Sequence, residues 1–452
     1  MAEATGWSAG RDVRDVYGRS YQLGPSDRVL LGHSRAWIAA AAWASMLAVS
    51  GTQYGYGAFA ARMGHAASWG PQAAAWGFAL WIMCQSAASG AVPWLRRRCG
   101  ITPAKTVTAG ALGCAIGLLA LDRAASPAFA LTAYGVAAGL GAGLVYGTCV
   151  AVVAAWYPDR PSRTAVVSGA FGYGAIPIIL VVAYAGDLTP SFAVLAWLIL
   201  MVAAPCASLL REPPRRWWPA DLDPRRWAVD KMLNPALRLE PPVFREHSSS
   251  EVARSRVAWV MVTLALSVWA IALFDTASLP AFALDSGWSL PDGAIALAAL
   301  AVGSGGVRTL AISAAGRIGR PRVLAAATCA GAVAQLALAG AAAHHALALF
   351  WLASCCAGAA AGTCYALLPE LVRGYFGDRP GLPNLWLVYS AKAAGGLLGV
   401  GCAAWLVRVV GYPPVLIASG FLFMSVSVLV PRLRRPGLPR TLPSSPPAAV
   451  AR

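Results

Sequence analysis

The sequence predicts an all-α, polytopic membrane protein whose twelve transmembrane helices form two six-helix halves, with both termini cytoplasmic. Three observations predict it. Of 452 residues, 58% are hydrophobic and only 12% charged, with 46 glycines and a mean hydropathy of +0.59, far from the balance of a soluble domain. Twelve stretches reach or approach the roughly 20 apolar residues that a bilayer core about 30 Å thick requires. Nearly all of the 36 basic residues fall in the tails and in every second loop, and this asymmetry sets orientation by the positive-inside rule.

The polar N-tail, 1–35, lacks a cleavable signal pattern, so the first span is expected to act as its own uncleaved targeting segment. The spans of the first half are predicted at 36–60, 73–95, 106–121, 128–156, 164–186 and 190–211. A segment rich in Pro, Arg and Ser, 212–255, breaks the apolar pattern and marks the domain boundary. Its "RRWWPADLDPRRWAVDKML" is expected either to lie along the membrane surface or to be a solvated loop. The second half, 256–431, is predicted to span at 257–279, 292–316, 321–343, 346–371, 385–409 and 413–431, followed by a C-tail, 432–452. A shift of 219 residues places "WYPDRP" at 156–161 on "YFGDRP" at 375–380, Gly139 on Gly358, Gly143 on Gly362, Tyr146 on Tyr365 and Tyr173 on Lys392. The halves therefore read as an internal duplication of the kind in which substrate sits between the repeats. The small-residue runs "GLGAG" and "GAAAG" are expected to let helix backbones approach.

The overall charge of +17 could suggest nucleic acid, but its placement in tails and loops needs only lipid headgroups as partners. Ten cysteines without ligand spacing read as small apolar fillers. His33, His65, His247, His344 and His345 fall in tails and loops. With no nucleophile–base spacing, metal box or phosphate loop, neither an enzyme, a metal site nor a cofactor is expected.

Two basic residues lie inside predicted spans. Arg308, in "VGSGGVRTLAISAAG", and Lys392, in "LVYSAKAAGG", are each seven or eight residues from the inner end, roughly 10–12 Å deep. A cation near the bilayer centre costs about 2.5–3.5 kcal/mol even on the lenient insertion scale. No acid is expected beside them, since Asp275 falls near the outer end of its span and Glu370 at the inner end of its own. Either the side chains snorkel to the headgroups, or they face a cavity whose anion comes from outside, with the arginine fork and the compact lysine gripping a carboxylate. Gln53, Tyr54, Gln85, Tyr146, Tyr173, Tyr365 and Tyr389 are the polar residues expected around them, and Tyr389 shares a helical face with Lys392.

"GLGAGLVYGTCVAVVAAWYPDRPSRTAVVSGAFGYGA" at 139–175, "YSAKAAGG" at 389–396 and "GVRTLAISAAGRIGR" at 306–320 resemble the oxalate/formate antiporter family of the major facilitator superfamily. The resemblance extends over nearly all twelve spans. It implies the MFS fold and substrate-gripping roles for Arg308 and Lys392, with pocket or gate roles for Gln53, Tyr54, Gln85, Tyr146 and Tyr365. Two places depart from that family: Arg97 and Gly316 stand where the inner loops usually carry an acid, and Ala361 stands where a tryptophan is expected near Tyr365. The leading expectation is exchange of small carboxylate anions, because an empty carrier would meet the repulsion of its two cations on closing. A proton-coupled monocarboxylate symporter and a membrane carboxylate sensor are the alternatives. The expected partners are the carboxylate and membrane lipid, for a carrier that acts as a monomer.

Overall fold

The computed structural model describes residues 11–66, 70–123, 126–184, 189–239, 247–377 and 385–433. The N-terminal decapeptide, the last residues of "YFGDRP" and the C-tail beyond 433 lie outside the described residues.

Twelve helical stretches follow in order. Helix α1 runs Ala36–Tyr54 and resumes after Gly55 as Tyr56–Ala66. Then come α2 (Pro71–Cys99), α3 (Pro103–Arg123), α4 (Pro127–Trp156), α5 (Pro161–Tyr173 and Ile176–Tyr184) and α6 (Thr189–Leu209). After the central segment follow α7 (Arg256–Asp285), α8 (Leu290–Ile318), α9 (Arg320–Ala343) and α10 (Leu347–Phe376). Helix α11 is built from Trp386–Gly396, a π-helical turn Leu397–Cys402 and Ala403–Val410, and α12 is Tyr412–Ser427. Among the described residues, eleven of these, α2 to α12, are long and apolar enough to cross a membrane; α1 is not among them.

The sequence starts these helices by a repeated device. Proline occupies the first turn of α2, α4, α5, α8, α9 and α12, where its fixed φ suits the helix and its missing N–H removes a donor that would have no partner. Ser289 and Asp292 add a reciprocal capping box at the start of α8. Large apolar side chains on α6 and α12, among them Trp197, Met201 and Phe421, are exposed, as expected where lipid is the solvent.

Close helix contacts are made by glycine. A Cβ built on Gly305 of α8 would stand 2.5 Å from the Gly169 carbonyl oxygen of α5, so the two backbones meet with nothing between them. Helices α2 and α11 also pack together, as do α8 with α10 and α7 with α11. The α5–α8 contact carries Arg308 to the backbone of α5.

The all-α expectation misses one feature. Arg11–Arg14 (β1), Ser20–Leu23 (β2) and Trp217–Trp218 (β3) form a three-stranded sheet, β1 antiparallel and β3 parallel to β2. The arginine–tryptophan run of the central segment is therefore neither a surface-lying helix nor a fully solvated loop at this point. Trp217 and Trp218 are buried, and Trp217 sits edge-on to Trp156 at the end of α4. Beside it, the Arg35 guanidinium donates to the Trp156 carbonyl and to both carboxylate oxygens of Asp159, the acid of "WYPDRP". Alternation in two short polar strands gave too little pattern to foresee a sheet that forms only when residues 195 apart in sequence meet.

A second correction concerns Asp275. The sequence ends the seventh span at 279, whereas α7 continues to Asp285 because Pro280 within it is followed by further helix-forming apolar residues. Asp275 is thus ten residues from the helix end, about 15 Å, and it is 2% exposed.

Replacing Gly305 with leucine should push α5 and α8 apart and destabilise the protein by about 1–3 kcal/mol or more. The measurement is the thermal unfolding midpoint of detergent-purified protein, with Gly306→Leu, which meets nothing within 4 Å, as the neutral control.

Candidate functional site

Lys392 and Arg308 reach one cavity from different helices. The cavity is lined by Gln53, Tyr54, Tyr146, Phe171, Trp269, Arg308, Tyr365, Pro369, Tyr389 and Lys392. Helices α1, α4, α5, α7, α8, α10 and α11 each contribute to its wall. Seven of the nine residues expected from sequence line it directly, all but Gln85 and Tyr173.

Both cations are buried, Arg308 at 2% and Lys392 at 5% exposure, and their head groups end on protein atoms. Lys392 Nζ donates to Gln53 Oε1 at 3.2 Å and to Gln85 Oε1 at 2.8 Å. Gln85 also donates through Nε2 to Ser89, which fixes its carbonyl toward the lysine. Arg308 donates through Nη1 to the Ser168 carbonyl at 2.6 Å, through Nε to the Ser304 carbonyl at 3.2 Å, and through Nη2 to the Tyr54 hydroxyl at 3.5 Å. The Tyr54 hydroxyl in turn shares a hydrogen bond with Ser304 Oγ. Among the described residues, neither cation has a carboxylate partner.

Every partner is therefore a neutral dipole. A hydrogen bond to a charged group contributes about 1.5–3 kcal/mol, so two amide carbonyls are enough to offset the cost of about 2.5–3.5 kcal/mol of placing Lys392 in the membrane interior. The cations are held, yet their net charge is not cancelled. An anion entering the cavity meets two positive groups in a medium that screens poorly.

The Tyr365 ring of α10 lies near both cations. The Arg308 guanidinium carbon lies 5.0 Å and Lys392 Nζ 5.7 Å from the centroid of its ring, within the range of cation–π attraction. Its hydroxyl is buried without a hydrogen-bond partner among the described residues, an expensive omission unless a ligand fills it. The other ring face is covered by Trp269 of α7, stacked at 5.2 Å with an interplanar angle of 16°. The tryptophan that the sequence lacked at Ala361 is thus replaced by one from a different helix. No sequence signal marked Trp269, because its role depends on how α7 meets α10.

Of the remaining expected residues, Gln85 acts through Lys392, and Tyr146 and Tyr389 complete the wall, Tyr146 edge-on to Phe171 at 5.2 Å. Tyr173 lies apart. Its ring packs against Gly305 and its hydroxyl accepts from Trp43 Nε1 at 2.7 Å, at the α5–α8 contact. The repeat that aligns Tyr173 with Lys392 equates their chain positions but not their surroundings.

A second, smaller cavity adjoins the first through Tyr54 and Tyr365 and is otherwise lined by Ala272, Thr276, Leu300, Ser304, Ala357, Gly358 and Ala361. The small side chains of α8 and α10 create this space.

The sequence profile of the Major Facilitator Superfamily matches residues 38–384. A protein from Thermoproteus tenax described as an uncharacterized 38 kDa protein in a 23S RNA operon is 29% identical over 206 residues. That match covers 43% of this chain and 53% of the relative, so the chain spans about half the length of the curated relative it matches. Among solved structures, a D-xylose–proton symporter has a TM-score of 0.64 at 13% identity, covering 87% of this chain and 97% of its own. The xylose transporter XylE of E. coli, in a partially occluded inward-open conformation, has a TM-score of 0.61 at 13% identity, covering 88% and 98%. These likenesses establish the fold. They also correct the narrower family assignment: the match is to the superfamily, and the solved structures beside it are xylose carriers, so membership of the oxalate/formate antiporters is not upheld. Motif likeness around two cations did not distinguish one branch of a large superfamily from another.

Tyr365→Phe should leave the thermal midpoint within about 0.5 kcal/mol of the parent, since no protein hydrogen bond is lost. Binding of an anionic ligand should weaken about 10- to 150-fold, the value of one hydrogen bond to a charged group, as read by isothermal titration in detergent.

Proposed function

The chain belongs to the Major Facilitator Superfamily and is a secondary active transporter built for alternating access; we propose that its cargo is a small monocarboxylate carried together with a proton. The observation that carries this reading is the pair Arg308 and Lys392, buried around one cavity with neutral partners only. A carboxylate would accept from the guanidinium fork and the ammonium, and would take a further hydrogen bond from the free Tyr365 hydroxyl. Gln53, Gln85 and Tyr54 would then act as adjustable dipoles that hold the cations while the site is empty.

In this reading the bodies that rock about the site are residues 36–211 and 256–431, joined by 212–255, and the basic loops place both termini in the cytoplasm. Glycine contacts such as Gly169 to Gly305 supply smooth surfaces for that motion.

Coupling to a proton is better supported than strict exchange. Exchange rested on the idea that an empty carrier, with its cations bare, resists closing. The amide carbonyls on Lys392, the backbone carbonyls on Arg308 and the Tyr365 ring beside both relieve that repulsion without cargo. An empty carrier that closes and returns permits net transport, and a proton-coupled carrier already shares this fold.

The test is uptake of labelled acetate, lactate, pyruvate and xylose into proteoliposomes under an imposed pH gradient. Accumulation of one of the acids, abolished when the gradient is collapsed, is expected. Accumulation of xylose alone would overturn the anion reading, and acid uptake that needs preloaded acid and ignores the gradient would restore exchange. Lys392→Gln should fold normally and lose at least about tenfold in acid transport, because removing a desolvated charge partner costs about 1.5–3 kcal/mol of binding; uptake equal to the parent would remove the lysine from the site.

A further inference from the structure

Helix α7 carries a buried acid that the site does not use. Asp275 is 2% exposed, and its partner is Gln335 of α9, itself fully buried, whose Nε2 donates to Asp275 Oδ2 at 2.6 Å. The other oxygen of each group, Asp275 Oδ1 and Gln335 Oε1, is buried without a partner among the described residues. An ionised carboxylate with one neutral donor in such a place is very costly. Two unsatisfied acceptors on a hydrogen-bonded acid and amide have one simple remedy. A proton on Oδ1 turns it into a donor to Oε1 and completes both groups at once.

The charged and titratable side chains on the helices packed around α7 offer no other remedy. These are Tyr54, Tyr56 and Arg62 of α1, Asp292, Arg308 and Arg317 of α8, Tyr365, Glu370, Arg373 and Tyr375 of α10, Tyr389, Lys392 and Arg408 of α11, and Tyr412 of α12, and none forms an ion pair or hydrogen bond with Asp275 among the described residues.

The position also has a means of movement. Pro280 lacks the N–H that would bond the Thr276 carbonyl four residues earlier, which weakens α7 at that turn. Against that same carbonyl lies Gly57 of α1, where a Cβ would stand 2.3 Å from the Thr276 oxygen. The crossing of α1 and α7 therefore closes directly on the turn that bears Asp275. Thr276, the next residue, lines the smaller cavity that shares Tyr54 and Tyr365 with the main one.

We infer that Asp275 is the proton-holding group of this carrier: protonated and paired with Gln335 while α1 and α7 are closed, and releasing its proton to water when α7 bends away. The inference rests on the proton-coupled reading above and names its proton site. The step balances simply: the Asp275 O–H bond breaks, the proton passes to solvent on the releasing side, and the carboxylate left behind is stabilised by the water that opening admits. Reprotonation from the opposite side completes the cycle.

The experiment compares the parent, Asp275→Asn and Gln335→Leu in proteoliposomes and by infrared difference spectroscopy. Asp275→Asn is expected to catalyse counterflow of labelled acid at a rate that no longer varies with pH, while accumulation driven by a pH gradient falls to the level of protein-free liposomes. The infrared spectrum of the parent at neutral pH is expected to contain a protonated-carboxyl carbonyl band that the asparagine variant lacks and that Gln335→Leu shifts. Should Asp275→Asn fail to fold, the shift of that band and of the pH midpoint in Gln335→Leu decides the matter, and no shift overturns the inference. Gradient-driven accumulation by Asp275→Asn equal to the parent overturns it as well. If the parent moves no acid, the cargo reading fails, and the infrared band still decides the protonation of Asp275.

Discussion

The structure depends on how two positive side chains are held in a membrane interior without an acid beside them. Carbonyl oxygens do this work: two amide side chains on Lys392, and the backbones of Ser168 and Ser304 on Arg308. Dipoles of this kind lower the energy of a cation but leave its charge in place. A carboxylate partner from the protein would have been a stronger and a worse solution, since cargo would have to displace it.

That choice shapes the surroundings. Apart from the Ser304 carbonyl on α8 itself, the acceptors come from α1, α2 and α5, whereas the cations stand on α8 and α11, so those hydrogen bonds also join helices distant in the chain. The Tyr365 ring, backed by Trp269, spreads its electron density toward both cations and keeps a hydroxyl in reserve. Contacts between glycines on α5 and α8 bring Ser168 within reach of Arg308. The π-helical turn at Leu397–Cys402 lies directly after the segment that bears Lys392, and such turns recur at functional positions in helices.

Away from the cavity the protein solves its charge problem by ordinary pairing. Arg35 bridges to Asp159, Arg96 to Glu212, and Glu370 takes both Arg320 and Arg373. These pairs stand toward helix ends, with Arg96 and Asp159 themselves buried. Among the described residues, Asp275 is an exception in the interior, and it is matched with an amide, a partner that can serve an acid in either protonation state.

The sequence by itself determined the number of apolar stretches, the basic loops, the two intramembrane cations and most of their polar neighbours. Each of these is local: a run long enough to cross a bilayer, or a charge whose burial is costly wherever the chain folds. Only the tertiary structure decided which dipoles serve which cation, that Trp269 replaces the aromatic missing at Ala361, that Tyr173 lies at a helix contact and not in the cavity, and that Asp275 is deep in α7 against Gln335. The sheet joining residues 11–23 to Trp217 and Trp218 was equally hidden. All of these depend on the crossing of helices far apart in the chain, and such crossings are fixed by side-chain volume and backbone approach, which leave no periodic trace in the residues themselves.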